Sequence, residues 1–454
     1  MKRLVFAFAL LSILSISQQP LLAETAGQED VRDIVPRLLL DDPAVREEAI
    51  DLLVERGNPD VAPALIQIMR FVQDRGRIDA VLAAITGEEA GKWDWHEWML
   101  WQQAHPDIKP FEGFDIFKAD IMAAIDPNFR VFLYPGVDHE IRLEEIAWGG
   151  VVKDGIPALT NPKHITPKEA TYITEDELVF GVAINGDARA YPLRILDWHE
   201  MFNDVVGGQP VSLAYCTLCG SGILYKTGEV GQDDPTIFGS SGFLYRSNKL
   251  MYDQATNSLW NQFTGKPVVG ELAGSGLELE ILPVAITTWS NWQNQHPETK
   301  VLSLETGFNR DYTPGRPYST YFSSANLMFP ALVDDKRLEP KDYVYAVRVD
   351  GLAKAWPLTD FEGGRVINDR IGDLRIALVG DAATRTVRAY IRDDVVVKAT
   401  DDPTIVKAGG RSMTVDEVGL VAEDGETFER LPGHIAFWFA WQGFIAGGPL
   451  AEGG

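Results

Sequence analysis

The stretch LVFGVAINGDARAYPL, residues 178–193, decides how the chain is read. Two β-branched runs flank an Asn-Gly-Asp turn and end at Pro192-Leu193, the pattern of a β-hairpin. Shifted by 165 residues, it falls without a gap on YVYAVRVDGLAKAWPL, residues 343–358. Val179 meets Val344, Val182 meets Val347, Gly186 meets Gly351, and Pro192-Leu193 meets Pro357-Leu358. At the same offset Asn203-Asp204 meets Asn368-Asp369, Gly207 meets Gly372, Leu213 meets Leu378 and Tyr225 meets Tyr390. The halves near 178–228 and 343–393 therefore read as a duplication inside a β-rich domain spanning 140–450. Two copies this far apart do not make a solenoid.

The duplication separates framework from chemistry. The hairpin turn, the Pro-Leu strand end and the Asn-Asp pair occur in both copies. Trp198, His199 and Glu200 stand where the second copy has Gly363, Gly364 and Arg365. Cys216, Thr217, Leu218 and Cys219 stand where it has Asp381, Ala382, Ala383 and Thr384. These are the only two cysteines in 454 residues, and they share one turn.

A Cys-x-x-Cys-Gly between two strand-like runs has three readings: a metal knuckle, a structural disulfide, or a reactive dithiol. Thioredoxin-like dithiols sit at a helix N-terminus, and CGSGILYKTG makes a poor helix. A disulfide across so short a loop gains little from cross-linking. For a metal, His199 is the first candidate third ligand, and Met251 in KLMYD is a softer fourth. Two thiolates, an imidazole and a thioether suit copper; a set closed by oxygen suits zinc. Glu200 could orient a ligand or move a proton, and is the candidate catalytic residue. The leading expectation is thus a copper or zinc protein with a redox, metal-handling or metal-assisted catalytic role. A scaffold with a structural disulfide and a thiol–disulfide oxidoreductase are the alternatives.

At these residues the sequence resembles the bacterial domain-of-unknown-function 3179 family. The resemblance covers roughly residues 140–395. It rests on Trp198-His199-Glu200, Asn203-Asp204, Tyr215-Cys216-x-x-Cys219-Gly220, Met251-Tyr252-Asp253 and Trp260-x-Gln262, in that order. Members often carry proline after the first cysteine, where this chain has Thr217. The family name implies no activity.

The remaining sequence sets the context. Lys2 and Arg3 precede an apolar run from Leu4 to Ile16, so residues 1–23 read as a signal peptide for periplasmic or secreted export. Disulfides persist in such compartments. Residues 28–105 have apolar positions at helical spacing and Asp-Pro turns, resembling short HEAT-like helices. Trp95, Trp98 and Trp101 fall on one face there, read as core before partner surface. Residues 106–139 read as a linker with a short helix near FKADIMAAI. The expected class is α+β: a helical segment, then the large β-rich domain. A net charge of -25 argues against nucleic acid and anionic membranes. No stable membrane insertion is expected once the signal is removed, and a protein partner would engage the helical segment. The loop TGFNRDYTPGRPYSTYF, residues 306–322, could line a pocket or close over the thiols. No Walker, Rossmann or haem-attachment motif is present.

Overall fold

The structure is a computed structural model that describes residues 29–228, 235–445 and 450. The expected signal peptide lies outside the described residues.

The helical part comprises α1 (Val31–Ile34), α2 (Pro43–Arg56), α3 (Ala62–Ile68), α4 (Arg75–Thr86), α5 (Trp95–Ala104) and α6 (Phe114–Ile125). Local chemistry sets its boundaries. Asp42 caps α2 by accepting from the Ala44 N–H, Pro43 fills its first turn, and Gly57 ends it at φ 61°. Asp94 and Glu97 form a capping box on α5. Leu53, Leu65, Leu82, Trp98 and Phe117 share one core, so α6 packs with the helices before it. Trp98 and Trp101 are buried in that core. Trp95 is half-buried and packs edge-to-face on Phe329.

After three short strands between Ile146 and Ile165, the β-rich part continues with β1 (Leu178–Ile184), β2 (Asp187–Pro192), α7 (Leu193–His199), β3 (Met201–Val206), β4 (Gln209–Cys216) and β5 (Ser221–Lys226). Then follow β6 (Phe238–Tyr245), β7 (Asn248–Asp253), β8 (Leu259–Asn261), β9 (Ala285–Thr288), α8 (Trp289–Gln295) and α9 (Ser319–Ser323). The second copy supplies β10 (Tyr343–Val349), β11 (Leu352–Pro357), β12 (Arg365–Ile371), β13 (Leu374–Asp381) and β14 (Thr386–Ile391). After short antiparallel strands between Val397 and Leu431, β15 (Gly433–Phe437) and α10 (Trp438–Phe444) end the described fold.

The duplication holds residue by residue. Gly181 faces Ala190 across the first hairpin, and Ala346 faces Ala355 across the second. Asn185-Gly186 and Asp350-Gly351 both take positive φ, as a two-residue hairpin turn of this hand requires. The Asn203 side chain bonds both backbone groups of Phe238, at 2.9 Å each. Asn368 does the same to Val397, at 2.7 and 2.9 Å. Asp204 accepts from Arg189 and Tyr191; Asp369 pairs with Lys354 and accepts from Trp356. These polar residues are framework in both copies.

Each copy also extends beyond the expected halves. β9 pairs with β1 and leads into Trp289-x-x-Trp292-Gln293; β15 pairs with β10 and leads into Trp438-x-x-Trp441-Gln442. The copies interlock, with β15 packed on β5 and β9 packed on β14. Thr287 and Thr386 bond across this seam at 2.8 Å.

The helical part lies against the sheet that contains β6, β7 and β8. Phe243, Leu250, Tyr252 and Leu259 join the helical core. Lys118, fully buried, donates to Gln67 Oε1 and to the Ile146 carbonyl. Burial pushes its pKa down to about 7. The amides of Gln67 and Gln102 both donate to the Glu144 carbonyl. Met251, by contrast, is packed in the core that holds the cysteines. β7 therefore connects the two cores.

Candidate functional site

Cys216 is the last residue of β4, and Thr217–Cys219 form a single 3₁₀ turn into β5. Gly220 closes the turn at φ 58°. A side chain there would also collide with the second copy: a Cβ would stand 2.8 Å from the Tyr343 ring and 3.2 Å from Phe437. Glycine is needed on both counts. The turn places the Cys216 and Cys219 sulphurs 2.7 Å apart, both buried and both free thiols. Two thiolates on one tetrahedral ion at about 2.3 Å would stand about 3.8 Å apart. Cys219 Sγ also donates to Asn248 Oδ1 at 3.1 Å and lies 3.4 Å from the Ser247 carbonyl. Burial, then the neighbouring Cys216, push the Cys219 thiol pKa well up.

Glu200 is brought to this turn. It ends α7 in a left-handed conformation, φ 56°, unusual for a side chain of its size. Its backbone N–H donates to Leu196 O, and its carbonyl accepts from Tyr215 N, both at 2.7 Å. That twist turns its carboxylate inward. Oε1 accepts from Thr217 Oγ1 and from Tyr318 Oη, at 3.0 Å each. Oε2 pairs with Lys249 Nζ at 2.8 Å, and the two side chains are only 10% and 4% exposed. Among the described residues this buried ion pair lies beside the sole cysteines.

His199 does not join the thiols, although it precedes Glu200 directly. Its Nδ1 donates to the Pro157 carbonyl at 2.8 Å, which leaves Nε2 to accept from Tyr312 Oη at 2.7 Å. Burial lowers its pKa, so the ring stays neutral with both nitrogens engaged. The helix end explains the split: the left-handed residue 200 sends adjacent side chains in different directions. The expected ligand set of Cys216, Cys219, His199 and Met251 is therefore not assembled. Cys216, Cys219 and Met251 share a core. Among the described residues, no group of three or more His, Cys, Asp or Glu is arranged to hold a metal ion.

The loop between 306 and 323 covers the turn. Tyr318 reaches Glu200, and Tyr321 Oη donates to the Leu218 carbonyl at 2.6 Å. Lys341 pins this cover, donating to the Tyr321 and Ser324 carbonyls, with its ammonium 3.7 Å from the Tyr321 ring centre. Trp198 Nε1 donates to Asp311 O and anchors the other end of the loop. From the second copy, Tyr343 stacks under Arg385 and forms one wall. Asp197, buried with one oxygen unpartnered, receives a bond from Tyr215; burial raises its pKa to about 7.

The other motif residues support the turn rather than face it. Gln262 Nε2 donates to Ala214 O, and Asp253 accepts from Trp260 Nε1. Tyr318 belongs to the loop that the sequence offered as a cover for the thiols, whereas Lys249 was not singled out. The one available signal was a lysine inside NKLMYD, a strand buried at every position.

The fold and site define a class: a duplicated, interlocked β-rich protein with one buried dithiol at the seam between its copies. The chain belongs to the family described as protein of unknown function (DUF3179), whose model matches residues 153–447. No curated protein matches the chain. No solved structure matches it.

Proposed function

We propose that the chain is a thiol redox protein in which Cys216 and Cys219 cycle between dithiol and disulfide. The contact between the two sulphurs, 2.7 Å apart in a glycine-closed turn, carries this reading. Oxidation removes two electrons and two protons and closes one S–S bond with little movement. Glu200, bonded to Thr217 within the turn and paired with Lys249, holds a carboxylate beside the dithiol. The cover of Tyr318 and Tyr321 keeps bulk water from the sulphurs. The sequence-based expectation of export fits a compartment where such a pair can be oxidised.

A copper(I) site is the second reading. It is favoured by Met251, buried in one core with Cys216 and Cys219, because thiolate and thioether donors suit that ion. His199 is not in its donor set.

Elemental analysis with thiol counting on the same sample separates the two. The redox reading expects no stoichiometric metal and two thiols that are lost together on oxidation and recovered together on reduction. About one copper per chain, protecting both thiols until it is stripped, would overturn it.

A further inference from the structure

The turn between β6 and β7 indicates what oxidises the dithiol. Arg246 and Ser247 occupy it with φ 48° and 63°, a conformation that glycine or asparagine adopts with less strain. Ser247 and Asn248 follow one another against Cys219. Asn248 Oδ1 accepts from both Cys219 Sγ and the Lys249 N–H, at 3.1 and 2.9 Å. The N–H contact fixes the amide orientation, so Nδ2 is a donor standing beside the sulphur. Nδ2 of Asn248 and Oγ of Ser247 are buried and have no hydrogen-bond partner. The two residues are 1% and 3% exposed. Unpaired buried donors are uncommon and costly, and the one on Asn248, whose amide touches the Cys219 sulphur through Oδ1, fits an acceptor oxygen held against that sulphur. Tyr318 and Tyr321 close the opposite side, so a protein disulfide has no approach in this conformation.

We propose that this turn is the subsite for a small hydroperoxide, and that the dithiol reduces it; the proposal rests on the redox reading above. The Cys219 sulphur attacks one peroxide oxygen, and the O–O bond breaks. The proton of the Cys219 thiol goes to the leaving oxygen, which departs as an alcohol, or as water from hydrogen peroxide. The oxygen left on Cys219 as a sulfenic acid accepts from Asn248 Nδ2. The Cys216 sulphur then attacks Cys219, the S–O bond breaks, and the hydroxide leaves with the Cys216 proton as water. One dithiol and one hydroperoxide give one disulfide, one alcohol and one water, a transfer of two electrons.

The test is a single turnover on the reduced full-length protein, with hydrogen peroxide and glutathione disulfide as separate oxidants. Thiols are counted by quenched alkylation. The proposal expects one equivalent of peroxide to consume both thiols, and a Cys216→Ser protein to give a dimedone adduct at Cys219. Asn248→Ala should slow the peroxide reaction about 100-fold, the effect of removing one donor to a developing oxyanion. It should slow that reaction more than the glutathione reaction. Oxidation by glutathione disulfide but not by peroxide would overturn the hydroperoxide subsite and leave the redox reading standing. Equal slowing with both oxidants would likewise overturn it. Thiols that react with neither oxidant would overturn the redox reading itself.

Discussion

Lys249→Met probes the buried pair that distinguishes this site. The substitution keeps the length and apolar stem of the side chain and removes the ammonium. Glu200, whose side chain is 10% exposed, then loses a partner 2.8 Å away. It keeps the hydroxyls of Thr217 and Tyr318. Breaking a buried ion pair from one side costs about 3–5 kcal/mol, and the two remaining donors put this case near 3. Glu200→Gln strands the ammonium of Lys249, 4% exposed, at a similar cost of about 3 kcal/mol. The double variant buries no charge and should lie within about 1 kcal/mol of the parent protein. The cycle therefore carries a coupling of about 5 kcal/mol or more. Urea unfolding of the four proteins, with slopes compared as well as midpoints, measures it. A coupling below about 1 kcal/mol, the value of an exposed pair, would refute the claim that the carboxylate works inside a closed site.

Three further outcomes follow from the same geometry. Gly220→Ala should lose about 1–2 kcal/mol to the left-handed backbone and about 1–3 more to overlap with Tyr343 and Phe437, read by thermal unfolding. Asp197 is held protonated in the fold up to about pH 7, whereas the unfolded chain releases its proton near pH 4; its contribution is present below pH 4 and lost as pH rises to 7. Asp197→Asn should therefore flatten the stability profile between those values in denaturant titrations. Lys118 runs the opposite way: with a folded pKa of about 7, its share of stability grows from pH 7 towards 10. Lys118→Met should abolish that rise, and hydrogen exchange in α3 and α6 is the local readout.

Much of the framework was legible because its signals are local. The 165-residue offset between LVFGVAINGDARAYPL and YVYAVRVDGLAKAWPL translates into matched registers, matched turns and matched Asn-Asp anchors. Asp42-Pro43 starts a helix where its capping chemistry predicts. The repeated Trp-x-x-Trp-Gln helices were readable too, but at a different offset, because an insertion separates them from the hairpins.

The site was legible only in part. Cys216, Cys219 and Glu200 stand out because the second copy lacks them. His199 stands out for the same reason yet faces Pro157 and Tyr312, since one left-handed residue decides which neighbour turns inward. Periodicity carries no information about such a residue. Lys249 and Tyr318 lie 49 and 118 residues from Glu200, and only the packed sheets and the covering loop bring them together. The unpartnered amide of Asn248 shows only as a missing hydrogen bond, which no sequence pattern records.

The central claim is that Cys216 and Cys219 form a working dithiol. Mass spectrometry of the protein alkylated under denaturing conditions, before and after reduction, tests it most directly when paired with metal content. The account predicts two states that differ by two hydrogen atoms, interconvert fully, label at both cysteines or neither, and contain no stoichiometric metal. Two thiols that stay reduced through every oxidant, or that are masked by one bound copper or zinc per chain, would contradict it.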